Sequence, residues 1–320
     1  RASLYDCADF TKEGYDCVGW TVKGQNKVAT EEISTNNLYG CAFNKNFDVR
    51  HIRITSENDL VLLKGSKYVQ SSISDAYQKA GEDLQKGRLV LFLGTPCQIA
   101  GLKNYLKKDY DTLYTVDLIC HGVPSIQFLK HHVRTKVGDV PIDHVSFRKG
   151  LQMILSVFSN GDEVYSSNLW KMRYEDEYYN AFIDGLSYRE SCHICTYAGK
   201  ERVADVTIGD FWGLLDDLPV PHNEGVSCVL VNTERGKLLF ETVLPVLNSF
   251  ERSLTEAVNG NDQLRAQKGK NWRITLFKRL SKVMSLSHAY HVVEFDHRNK
   301  IHNIPVLGSI LHVMRKIFLK

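Results

Sequence analysis

The sequence predicts an α/β fold with a mainly parallel central sheet, flanking helices, an antiparallel hairpin excursion and a C-terminal helical extension. Three patterns carry that expectation. Two stretches, Leu91-Phe92-Leu93-Gly94-Thr95-Pro96-Cys97-Gln98 and Val116-Asp117-Leu118-Ile119-Cys120-His121-Gly122-Val123-Pro124-Ser125, each run a short apolar strand into a Gly or Pro turn, a cysteine and a helical pattern. Successive strand–helix units of this kind pair in parallel, which brings both cysteines to the carboxyl edge of one sheet, where open α/β sheets bind ligands. Asn160-Gly161, between alternating apolar runs, marks a two-residue hairpin away from that sheet.

Taken in order, residues 6–14 have helical character, 15–22 strand character, and a polar stretch follows through 37. Residues 38–43 and 49–54 read as a hairpin across Asn44-Lys45-Asn46. Ser56 reads as the N-cap of a short helix through 63, and a second helix covers 75–85. The central βαβα segment spans 88–133. Strands at 144–148, 153–158 and 163–167 form the excursion, placed at the sheet edge or in a small lobe. A helix over 175–186 then leads into Cys192-His193-Ile194-Cys195. Residues 203–213 read as a buried strand broken at Gly209-Asp210, 226–232 as a further strand and 234–244 as a helix. Past Asn259 the chain turns basic and amphipathic, so we divide it into an α/β domain over 1–258 and a helical extension over 259–320. The last stretch, 304–320, gathers Leu307, Ile310, Leu311, Met314, Ile317 and Phe318 near one face. Such a helix can rest on an anionic membrane surface, on a partner, or on its own domain.

Composition narrows the function. The chain has 320 residues and a formal charge of +3, too small and too dispersed for a nucleic-acid surface. No apolar segment reaches the roughly 18 residues of a spanning helix, and the first residues lack the apolar core of a secretion signal, so the expected location is cytoplasmic. Eight cysteines in a chain of this size are too few for a disulfide scaffold. Cys7, Cys17, Cys41 and Cys228 read as packing residues. Cys97, Cys120, Cys192 and Cys195 remain as a set of four.

Three chemistries compete for that set. A structural zinc site takes four tetrahedral donors, usually from two tight knuckles, and only one knuckle exists here. A thioredoxin-type pair explains Cys192 and Cys195 and leaves the others idle. A 4Fe-4S cluster accounts for all four, because its iron corners accept thiolates from distant parts of a chain, and helix N-termini beside Cys97 and Cys120 favour the thiolate. His121 and His193 adjoin the cysteines as neighbours or substitute ligands. Separately, Gly65-Ser66-Lys67-Tyr68-Val69-Gln70-Ser71-Ser72 combines backbone donors with a cation, as an anion-holding loop or as a solvated connection. Asp117, Asp205 and Asp210, at or near strand ends, are candidates for orienting or protonating a substrate, or for capping turns.

Taken together, Gly94-Thr95-Pro96-Cys97-Gln98, Asp117 to Pro124, Cys192-His193-Ile194-Cys195 and Ala204 to Gly213 resemble the coenzyme F420 hydrogenase/dehydrogenase beta-subunit family, including its bacterial relatives. The resemblance runs over residues 38–244. It implies an iron–sulfur flavoprotein oxidoreductase, with Cys97, Cys120, Cys192 and Cys195 holding a 4Fe-4S cluster near an FAD. It implies that Gly65, Ser66, Lys67, Tyr68, Gln70 and Thr95 contact the flavin. Electrons would pass between a small-molecule substrate and a ferredoxin or iron–sulfur partner subunit. The family's Ser-Ser-Gly-Gly turn and its repeated ferredoxin-like cysteine motif are not found in this sequence. A non-catalytic cluster- or zinc-binding adaptor is the competing expectation.

Overall fold

The computed structural model describes residues 37–171, 176–214 and 225–299. The strands are β1 (Leu38–Phe43), β2 (Val49–Arg53), β3 (Val90–Gly94), β4 (Leu113–Leu118), β5 (His144–Ser146), β6 (Ile154–Ser159), β7 (Asp162–Asn168), β8 (Val206–Asp210) and β9 (Ser227–Val231). The main sheet has the order β2-β1-β3-β4-β8-β9, and β5-β6-β7 form a separate sheet. In the main sheet β1, β3, β4 and β8 are mutually parallel, while β2 and β9 close the two edges in antiparallel register. The fold class read from the sequence is the one observed.

Strand β3 shows why the sheet is mainly parallel and buried. Its residues Val90, Leu91, Phe92 and Leu93 form a continuous apolar run because both faces are covered. Val90 and Phe92 pack with Tyr39 against Ala80 and Leu84 of one helix and Ile99 and Leu102 of another. Leu91 and Leu93 turn the other way, toward Leu38, Val116, Leu239 and Val243. The period-two alternation thus splits one apolar run between two layers. The helices, in chain order, are α1 (Leu60–Leu63), α2 (Ala76–Gln85), α3 (Pro96–Leu106), α4 (Ile126–Val137), α5 (Glu177–Ile183), α6 (Glu234–Val243), α7 (Leu254–Gly260), α8 (Trp272–Leu280) and α9 (Leu286–Asn299). Helices α2 and α3 lie on one face of the sheet and α6 on the other.

The hairpin excursion forms its own lobe. Leu155 and Val157 of β6 pack with Phe147, Leu129 of α4, and Tyr178 and Tyr179 of α5. Its first strand ends at Ser146, short of the expected 148, and Arg148 turns inward. Beyond α5 the chain is tied to the C-terminal helices, since Ile274, Phe277, Ala289, Tyr290 and Val293 bury themselves with Ala181 and Leu186. The apolar stripe of residues 272–280 is therefore covered by this chain itself.

One boundary differs from expectation. Gly209-Asp210 does not break β8, which runs from Val206 through Asp210. Gly209 is needed for a close approach instead: a Cβ there would lie 2.8 Å from the Ile119 side chain. The elements expected over 6–22, with Cys7 and Cys17, and the amphipathic helix over 304–320 lie outside the described residues. Among the described residues no helix is long and apolar enough to cross a membrane.

Candidate functional site

The carboxyl ends of β3, β4 and β8 assemble the site. After β3, Thr95 takes extended φ/ψ and Pro96 opens α3 at its first turn, where the missing N–H costs nothing. The Thr95 N–H donates to Gln98 Oε1 at 2.9 Å, one arm of a capping box. This places Cys97 on the first turn of α3, exposed, with its sulfur 3.2 Å from the Thr95 hydroxyl. After β4, Cys120 precedes Gly122, whose φ of 122° and 2.6 Å Cβ approach to Tyr188 exclude any larger residue.

That close approach draws in the second pair of cysteines. Pro124 bridges Tyr188 in antiparallel register, and the Arg189 N–H donates to the Val123 carbonyl at 3.0 Å. The 3-10 turn Glu190–Ile194 follows directly, so Cys192 and Cys195 arrive beside Cys120. The backbone N–H groups of Gly122 and Val123 bond the sulfurs of Cys120 and Cys192 respectively. Cys120 lies in the field of Cys97, Cys192 and Cys195, and Cys192 in the field of Cys97 and Cys195. Burial, reinforced by those neighbouring thiols, pushes Cys120 up to about 12 and raises Cys192 as well. Such a thiol quartet is a poor home for thiolates until positive charge enters it. Among the described residues no three His, Cys, Asp or Glu side chains close on a single metal ion.

Cys120 is partly exposed and His121 exposed at this carboxyl edge of the sheet. Ile194, between the two knuckle cysteines, is 73% exposed. His193 turns away: its Nδ1–H donates to the Lys268 carbonyl at 3.0 Å, and its ring stacks on Tyr188. It is a buried packing residue of the knuckle.

The three aspartates divide. Asp205 accepts from the Thr115 N–H at 2.8 Å and hydroxyl at 2.7 Å, and from Thr233 at 2.8 Å, fastening β4, β8 and α6 together. Asp117 is sealed from solvent and paired with Arg202 at 2.9 Å, with Thr207 donating at 2.6 Å. Burial raises its pKa against the opposing pull of Arg202. Of the three, only Asp210 is not buried, with its side chain 26% exposed and paired to Arg148. Arg148 also donates from Nε to the Tyr68 hydroxyl at 2.8 Å. The sequence reading missed Arg148, because an arginine just past a short strand carries no motif.

The 65–72 loop is partly internal. Tyr68 stacks on Phe182 with ring centroids 4.9 Å apart, and the Gln70 N–H donates to the Pro124 carbonyl at 3.0 Å. The Lys67 ammonium donates to the carbonyls of Leu63, Lys64 and Gly65 at 3.2, 2.8 and 3.2 Å. It caps the end of α1 and does not stand out as a lone cation. Gly65, Ser66 and Thr95 remain partly exposed. A separate cleft of about 310 Å³ lies at the opposite, amino edge of the sheet, where Lys103 and Arg235 are held by the Val203 and Leu113 carbonyls.

Behind Cys97, the buried His51 links β2 to both loops. Its Nε2–H donates to the Leu93 carbonyl at 2.9 Å, and Nδ1 accepts from Ser71, which is 2.9 Å from the donating Gln98 amide. Burial pulls His51 down to about 4 from 6.5. Its neutral form is favoured in the folded state, so the stabilisation is complete above pH 6.5 and lost as pH falls toward 4. We expect unfolding free energy to drop by up to about 3 kcal/mol on this account over that window. Urea midpoints measured at about pH 7 and about pH 4.5 should differ less in His51→Gln than in the wild type; an unchanged difference would show that another group dominates.

Residues 87–246 match the family described as the C terminus of the coenzyme F420 hydrogenase/dehydrogenase beta subunit. Among solved structures, a chain of the xenon-derivatized F420-reducing NiFe hydrogenase complex from Methanosarcina barkeri aligns with a TM-score of 0.44 and 16% identity, over 72% of this chain and 77% of that one. No curated protein matches the sequence.

Proposed function

The chain belongs to the family defined by the C-terminal part of the coenzyme F420 hydrogenase/dehydrogenase beta subunit, an oxidoreductase family, and we propose that Cys97, Cys120, Cys192 and Cys195 hold one 4Fe-4S cluster. The observation that carries the ligand set is the convergence of four thiols, 98 positions apart at the extremes, at one edge of the sheet. An iron–sulfur cube spreads its thiolates further apart than a single tetrahedral ion does. Four thiols that share one another's field are compatible with the larger group. Bound there, it would supply one-electron transfer.

The chain's own residues prepare that seat. The Gly122 and Val123 N–H groups stabilise charge on Cys120 and Cys192, and Arg189 adds a cation near Cys192. Thr95 holds Cys97 on the α3 N-terminus, where the dipole also favours thiolate. Exposed Ile194 offers an apolar contact for a ferredoxin or iron–sulfur partner subunit within a few residues of two ligands. The same reading seats an FAD against the 65–70 loop and Thr95. What supports the flavin is the likeness of that loop, with Gly65, Ser66 and Thr95 still accessible and Lys67 and Tyr68 engaged by protein.

Anaerobic purification followed by assays of iron, acid-labile sulfide, zinc and released flavin tests the proposal. About four irons and four sulfides per chain, with flavin, are expected. Iron and sulfide without flavin would point to an adaptor, and zinc alone would remove the redox reading.

A further inference from the structure

From Gln263 to Val293 the chain carries seven Lys or Arg side chains and no Asp or Glu. Most of that charge is offset by carboxylates outside the stretch: Arg265 by Asp262, Lys270 and Lys278 by Glu190, and Arg273 by Asp184 and Glu294. Lys268 donates to the Ile183 carbonyl at 3.0 Å. Arg279 and Lys282 are left over, and among the described residues neither makes an ion pair or a side-chain hydrogen bond. They flank the connection between α8 and α9, where Val283 is 72% and Met284 37% exposed. That connection is a built turn. The N–H groups of Lys282 and Val283 donate to the Arg279 and Leu280 carbonyls at 3.2 and 3.0 Å, and Met284 donates to Leu280 at 2.9 Å. The Ser285 hydroxyl accepts from the His288 N–H at 3.2 Å and starts α9. On the inner side, Leu280 and Leu286 are buried with Ala181 and Leu186, so Val283 and Met284 project outward. The turn continues the winding of α8, which sets Arg279, three and four positions before Lys282 and Val283, beside both.

We propose that this helical tip docks on an anionic lipid surface, with Val283 and Met284 entering the acyl boundary and Arg279 and Lys282 meeting the phosphates. Two cations that the protein leaves unclaimed, in a stretch free of carboxylates, complement a negatively charged surface. The shape of the apolar part selects the bilayer over an acidic protein. A stable protein interface covers about 800 Å² on each partner, far more than two projecting side chains supply. A fluid acyl layer needs no matching pocket. The tip is also tied to the thiol turn, because Lys278, in the last turn of α8, holds Glu190 at 2.7 Å, two positions before Cys192. Docking therefore keeps that turn close to the lipid. The contact needs no cluster and is independent of the redox reading.

Flotation of the full chain with extruded vesicles tests the contact, using phosphatidylcholine alone and phosphatidylcholine with about one third phosphatidylglycerol. Binding to the anionic vesicles alone is expected, and it should weaken as salt is raised. Replacing both cations, Arg279→Gln with Lys282→Gln, should lower the partition about 25-fold, roughly fivefold for each charge. Val283→Ser with Met284→Ser keeps the charge and should lower it about tenfold or more by removing the inserted apolar surface. Lys45→Gln with Lys86→Gln, at two exposed cations on other elements, should leave it unchanged. Should a double variant lose native circular dichroism, the single variants Lys282→Glu and Val283→Asp, both at exposed positions, carry the same test. Failure of the wild type to float with the anionic vesicles overturns the proposal. Equal flotation of the wild type and both tip variants also overturns it and moves the contact to another surface. Poly-glutamate bound through Arg279 and Lys282, without vesicle binding, would replace the lipid by an acidic protein partner.

Discussion

Serine at Cys97 or at Cys192 is expected to strip most of the iron from the anaerobically purified protein, whereas Cys228→Ser should retain the wild-type content. A serine hydroxyl has nearly the shape of the thiol but is a poor, hard ligand for iron that prefers thiolate. The two target positions come from different parts of the fold, Cys97 from the first turn of α3 and Cys192 from the Glu190–Ile194 turn. Parallel losses at both would therefore report a shared group and not local damage. Cys228 is the control because it is 1% exposed, packed with Ile119, Ala257 and Leu264, and pushed up to about 11 by burial. Substitution there costs packing and hydrogen bonding but no ligand. Iron and sulfide per chain, with the charge-transfer absorbance of the cluster, make the measurement. Equal iron in all three variants would sink the ligand assignment. Loss in Cys192→Ser with retention in Cys97→Ser would point instead to a metal held by the knuckle.

The strand-Cys-helix units were legible because everything that positions Cys97 and Cys120 is local. An apolar run ends, an extended Thr95 or Ser125 caps, and a helix starts. Parallel pairing of β3 with β4 then follows from the connection between them. The arrival of Cys192 and Cys195 depends on a bridge between Pro124 and Tyr188, which no periodicity encodes. Their inclusion with Cys97 and Cys120 was an expectation from C-x-x-C spacing and resemblance, not from local folding rules. The aspartates show the limit most clearly. Strand-end position made Asp117, Asp205 and Asp210 equivalent in sequence, but their partners sit 28 to 90 positions away and decide their roles. Arg148 was invisible for the same reason: its value lies in Tyr68 and Asp210, brought to it from distant parts of the chain.

Removing the Arg202 side chain should produce the largest loss of stability among single changes near the site. The ion pair it makes with Asp117 Oδ1 is almost wholly buried, at 1% and 0% exposure, and Oδ2 of Asp117 has no hydrogen-bond partner among the described residues. Arg202→Met fills much of the volume but leaves a buried carboxylate without its cation, a change that typically costs about 3–5 kcal/mol. The double variant Arg202→Met with Asp117→Asn removes both charges and should recover a substantial part of that loss. Urea unfolding of wild type, both single variants and the double variant gives the coupling directly. If the four stabilities add without coupling, the pair is not the fastening it is taken to be. Position adds a second readout. Arg202 also donates to the carbonyls of Leu118, Tyr197 and Gly199, so one guanidinium ties the end of β4 to the loop that follows Cys195. Loosening that tie should let Cys195 drift from Cys120 before the domain unfolds. In Arg202→Met, iron should therefore be released to a chelator faster than in wild type at urea concentrations where far-ultraviolet circular dichroism is still native. Release that simply tracks unfolding would show that Arg202 supports the fold without aligning the thiols.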